Sequence, residues 1–157
     1  PELVEARERG VILDAAHGRY NLSFEVARAM MDQDVLPFTI STDITKPGRL
    51  VAGSMTHNMG RFLALGLSLT EVVRMSTYNP ATVLGFRDDV GTLAEGTVAD
   101  VTILESVPGP WWFTDAEGSS IKGEVALRPM LTFKAGEQYA PDYGPFPTGW
   151  LPAREAV

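Results

Sequence analysis

Asp43 stands where the chain leaves a short apolar run, in Ile40-Ser41-Thr42-Asp43. In β/α barrels the C-terminal ends of the strands carry the active site. A carboxylate at such a place can bind a metal or take a proton from water. The same Ser-Thr-Asp run also reads as a turn cap. His17 follows a second apolar run, in Asp14-Ala15-Ala16-His17-Gly18, and Gly18 leaves room for close backbone approach. Its imidazole suits metal binding, proton transfer or substrate contact; a loop histidine bonded to backbone is the alternative. If the two runs are parallel strands of one sheet, His17 and Asp43 emerge on the same rim. His57, in Thr56-His57-Asn58-Met59, opens a helix and reads as structural or solvent-exposed. A metal site built from His17, Asp43 and His57 is the sparser possibility.

The elements that position these residues follow from pattern. Glu2 to Arg9 suits a helix ended by Gly10. Val11-Ile12-Leu13 and Leu36 to Ile40 are continuous apolar runs of the kind buried in parallel sheets. Between them Ser23 to Gln33 reads as a helix, with Phe24, Ala27, Met30 and Met31 on one face and Ser23 as its cap. Helix, strand, helix, strand is the order of a βαβ unit. After a loop over Ile44 to Ala52, with Pro47 and Gly48, come two helices. One runs from Met55 to Leu65, and the next opens on the capping box Ser68-Leu69-Thr70-Glu71. Asn79-Pro80 reads as the cap and first position of a third, ended by Gly85.

Beyond Phe86 the character turns β-rich, with strands expected over Val98 to Leu104 and Leu131 to Lys134. The boundary is expected at residue 87, with a β-rich part over 88–140 and an irregular covering tail over 141–157. Trp111, Trp112 and Phe113 form an aromatic cluster suited to packing. Gly91 and Gly96 lack the spacing of a phosphate loop.

Composition excludes several classes. The 157 residues are 45% hydrophobic and 21% charged, which is ordinary for a globular chain. A net charge of −7 argues against nucleic acid and anionic membrane as partners. Cysteine is absent, which rules out disulfides and thiolate sites and fits a reducing cytoplasm. No apolar run approaches the ~20 residues that span a bilayer.

Two segments in order carry a family resemblance. Thr77-Tyr78-Asn79-Pro80-Ala81 with Gly85 is similar to the Thr-x-Asn-Pro-Ala…Gly segment of the amidohydrolase superfamily. Gly91-Thr92-Leu93-Ala94-Glu95-Gly96-Thr97-Val98-Ala99-Asp100-Val101-Thr102-Ile103 resembles the stretch where those enzymes leave the barrel for a small β-sandwich. The Asp14–Gly18 and Ile40–Asp43 segments resemble the dihydroorotase-like and deacetylase branch. The fold this implies is α/β: the last two βα units of a TIM-type (β/α)8 barrel, followed by part of a small β-sandwich.

The resemblance implies a function and its parts. Asp43 would end the eighth strand, bind a divalent metal, commonly zinc, and take a proton from the attacking water. His17 and Gly18, after the seventh strand, would lie at or just behind the substrate. The family's His-x-His, bridging lysine and further histidines have no counterparts here. The expectation is therefore a C-terminal piece, inactive alone, of a hydrolase cleaving amide or ester bonds of small molecules, needing the N-terminal part of the barrel as its partner. A noncatalytic β-rich assembly module, self-associating through open strand edges, is the alternative.

Overall fold

A computed structural model describes residues 2–46, 52–140 and 151–155. The expected loop around Pro47 and Gly48 and most of the tail lie outside the described residues. The chain is mixed α/β. Helix α1 (Glu2–Glu8) leads to β1 (Asp14–Ala16), α2 (Phe24–Met31) and β2 (Thr39–Ser41). Helices α3 (Met55–Leu65), α4 (Leu69–Ser76) and α5 (Tyr78–Val83) follow. The antiparallel strands β3 (Val101–Thr114), β4 (Ser120–Lys134) and β5 (Glu137–Tyr139) complete the order.

β1 and β2 pair in parallel, as the helix–strand alternation requires, with Asp14 opposite Thr39 and Ala16 opposite Ser41. Both strands sit later than the apolar runs. Val11 and Ile12 are about half exposed, at 48% and 50%. Pro37 has no N–H to give a ladder, so β2 begins beyond it. The two strands are instead joined by polar side chains: Thr39 Oγ1 and Ser41 Oγ each donate to the Asp14 carboxylate at 2.6 Å. Hydrophobic pattern alone points to the runs, but hydrogen bonding sets the register.

The capping box of α4 forms as expected, with Ser68 and Glu71 reciprocally bonded. Two other caps differ. Ser23 stands at the start of α2, but its hydroxyl donates to Glu117 (2.9 Å). The Phe24 N–H is taken by the buried Asp115 carboxylate, 91 residues on (2.9 Å). Asn79 lies inside α5 rather than capping it, and its amide donates to the Phe38 carbonyl (2.6 Å), bracing the entry to β2.

β3 and β4 form one long hairpin, not the short strands expected. Proline hid most of it: Pro108 and Pro110 are tolerated because the register shifts between Pro108 and Trp111. β5 adds to β4, giving a three-stranded sheet. The expected aromatic packing is here. Trp111 and Phe113 are 2% and 1% exposed, and Arg154 lies over the Trp111 ring at 4.7 Å. A single apolar cluster runs from Phe24 and Ile40 through Phe62 and Val72 to Trp111, Phe113 and Ile121.

Candidate active site

The parallel pairing of β1 and β2 brings His17-Gly18 and Thr42-Asp43 out at the same end. The Gly18 N–H donates to the Thr42 carbonyl (2.8 Å), locking the two exit loops together. Asp43 is exposed and holds φ +45°, a left-handed conformation uncommon outside glycine, asparagine and aspartate. Its Oδ2 accepts a hydrogen bond from Asn21 Nδ2 (2.8 Å). Gly18, at φ +51°, packs against both partners: a Cβ there would fall 2.6 Å from Asp43 Oδ2 and 2.7 Å from Asn21 Nδ2. Glycine is required for backbone angle and for space alike.

His17 lies under this rim, fully buried. Its Nδ1 is 2.9 Å from the Gly18 carbonyl and its Nε2 is 3.4 Å from the Thr114 carbonyl. Burial, and then the nearby Arg61 guanidinium, holds its pKa below the usual histidine value. A neutral ring has one N–H, and the shorter contact assigns it to Nδ1. Arg61 is itself 4% exposed, donating from Nε to Thr114 O (2.9 Å) and from Nη1 to Ala52 O (2.8 Å). Burial lowers its pKa to about 10, opposed by the Asp115 carboxylate, so it stays charged at neutral pH. Asp115 also accepts the Glu117 and Ser119 N–H groups, closing the β3–β4 turn.

His57 stands apart from Asp43. Its ring meets Phe113 edge-on, with centroids 6.2 Å apart, and its Nδ1 is buried with no hydrogen-bond partner among the described residues. Among those residues no group of three or more His, Asp or Glu side chains could hold a metal. The three-residue site considered from His17, Asp43 and His57 is therefore not assembled. Asp43 alone offers fewer than the about three protein ligands a catalytic zinc takes, so the described residues do not hold such a metal by themselves.

Burial brings the His57 pKa down to about 3, with smaller contributions from Arg61 and His17. In the unfolded chain the same ring titrates near its ordinary 6.5. Between these values the unfolded state binds a proton that the native state refuses, so the associated stability is whole above pH 6.5 and is lost as pH falls towards 3. Urea midpoints measured from pH 7.5 to 4 should fall, with a slope of up to about 1.4 kcal/mol per pH unit from this ring. His57→Leu should flatten that slope. An unchanged slope in the variant would mean that His57 is not the group responsible.

Asn21, Asn58, Arg61 and Asp115 carried no expectation from sequence. Asn58 is buried and its amide donates to the Ser41 carbonyl, two residues before Asp43. A signal existed for Arg61: a guanidinium between Met59 and Phe62, on the buried stretch of α3. None existed for Asn21, whose role depends on a loop 22 residues away.

The sequence model of the amidohydrolase family matches residues 6–136. This chain belongs to the amidohydrolase family. The membership expected from the Asn-Pro-Ala and Ala-Asp-Val segments therefore holds. A deacetylase of Agrobacterium fabrum is 33% identical over 132 residues, covering 83% of this chain and 32% of the relative. Among solved structures, an adenine deaminase superposes with a TM-score of 0.81 at 26% identity, covering 88% of this chain and 38% of that one. A dihydroorotase superposes with a TM-score of 0.75 at 29% identity, with the same coverages of 88% and 38%. The chain spans about a third of the length of the deacetylases it matches, and under a fifth of the adenine deaminases.

Proposed function

We propose that this amidohydrolase chain is the C-terminal part of a metal-dependent hydrolase that cleaves amide or ester bonds in small molecules, with deacetylation as its reaction. The observation that carries the reading is Asp43, held by Asn21 on a rim it shares with Gly18. In the proposal residues 1–87 belong to a β/α barrel and 88–140 form the β-rich part packed behind it. An apolar groove of about 600 Å³ along β1 and α2, reaching Asp14, Ala16 and Asn21, supports further barrel strands beside β1.

The chemistry assigned to this chain is modest and specific. Asp43 offers a free oxygen to accept the proton of the attacking water and return it to the leaving group. Gly18 leaves room for the Asn21–Asp43 contact, and His17, buried beneath, sets the loop that carries it. A bound divalent metal, commonly zinc, would supply a water acidified to near neutrality and a polarised carbonyl. Asp43 is the one ligand this chain contributes in the proposal. The similarity to a deacetylase supports acetyl transfer to water over attack on a purine ring.

The complete enzyme should hydrolyse N-acetyl or O-acetyl small molecules, lose that activity on chelation and regain it with added zinc. Undiminished activity after complete metal removal would sink the metal-dependent reading. Metal-dependent turnover by the 157-residue chain alone would sink the idea that it is only a part. The assembly-module reading draws on β3, an edge strand whose outer side pairs with no other strand among the described residues beyond the isolated Trp112–Ala153 bridge. A defined metal-free oligomer in light scattering, with no hydrolysis by the complete protein, would favour it.

A further inference from the structure

Resting on the reading of Asp43 just given, we infer that Asn21 is a positioning residue for that carboxylate. Three observations meet at one point. Asp43 is a non-glycine residue held at φ +45°, a conformation that costs of order 1 kcal/mol or more and persists only where its surroundings fix it. The surroundings are visible: the Asn21 amide donates to Oδ2 at 2.8 Å. Gly18 lies against both groups, so the contact exists only because position 18 has no side chain.

The geometry divides the work of the carboxylate. Oδ2 is engaged by Asn21, which favours one rotamer about the Cβ–Cγ bond and, among the described residues, leaves Oδ1 as the oxygen open to water or metal. Asn21 itself is anchored, since its N–H donates to the His17 carbonyl (3.1 Å). One turn of chain, His17 to Asn21, thus carries the buried imidazole, the space-making glycine and the orienting amide. A carboxylate on an exposed loop otherwise samples several rotamers, and a partner that fixes one is typically worth 10–100-fold in activity or metal affinity.

The test uses the complete enzyme and four proteins: wild type, Asn21→Ala, Asn21→Asp and Asp43→Asn. Asn21→Ala should lower kcat about 10- to 100-fold with KM within about twofold, because transition-state geometry is lost rather than substrate binding. Asn21→Asp has the same shape without the N–H donors and should be at least as impaired. A packing role would be satisfied by that isostere. Melting temperatures should stay close to wild type, because each substitution removes at most one side-chain hydrogen bond and no apolar packing. Full activity in Asn21→Asp, alongside an inactive Asp43→Asn, overturns the inference about Asn21 and leaves the reading of Asp43 standing. Full activity in Asp43→Asn overturns that reading and the inference with it. A second readout is independent of turnover: zinc retained per chain after dialysis should fall in Asn21→Ala, and unchanged retention together with unchanged kcat counts against positioning.

Discussion

Asp43→Asn should lower kcat of the complete enzyme by about three orders of magnitude, the range lost when a positioned general base is removed. The substitution is chosen for its backbone. Asparagine tolerates the left-handed region nearly as well as aspartate, so φ +45° remains accessible and the exit loops keep their shape. The Asn21 contact can survive too, since an amide carbonyl still accepts the Nδ2–H. What goes is the negative charge and the basic oxygen. The result should therefore be a loss in kcat with a melting temperature near that of wild type. Asp43→Ala removes the charge as well but adds backbone strain, so a stability loss confined to alanine would report the strain separately. Hydrolysis by Asp43→Asn within about threefold of wild type would show that proton transfer runs through another group.

How much of this was legible in sequence depends on what kind of force made each feature. Capping boxes are local, and Ser68 to Glu71 formed as read. The parallel placement of the two strands follows from the alternation of elements, and it alone put His17 and Asp43 at one end. Register was not legible, because apolar runs mark burial while the ladder is fixed by Asp14, Thr39 and Ser41. Features that depend on remote partners left no local trace. Asp115 caps a helix 91 residues earlier, and Asn79, which had every mark of a cap, turns instead to the Phe38 carbonyl. The rim is a case of both kinds. Gly18 announces a close approach, but only the folded loops show that what approaches is the Asn21–Asp43 pair.

Phe113→Ala should cost about 3–5 kcal/mol, a shift of roughly 6–20 °C in melting temperature for a chain of this size, and should do so in one transition. The ring is 1% exposed and fits a slot cut for it. A Cβ at Gly60 would fall 2.4 Å from its Cε1, and one at Gly123 would fall 2.9 Å from its Cε2. The ring thus lies between α3 and β4, with His57 edge-on. Removing it leaves a cavity where the β-rich sheet meets the helix that carries Asn58, whose amide holds the Ser41 carbonyl just before Asp43. Because the apolar cluster is continuous from Ile40 to Ile121, loosening the sheet loosens the strand that presents the carboxylate. Calorimetry and near-ultraviolet circular dichroism should give coincident midpoints in wild type and variant. Two separated transitions, with only the later one moved by Phe113→Ala, would show that the sheet folds as its own unit. The contact between Phe113 and α3 would then be a docking surface rather than part of a common core.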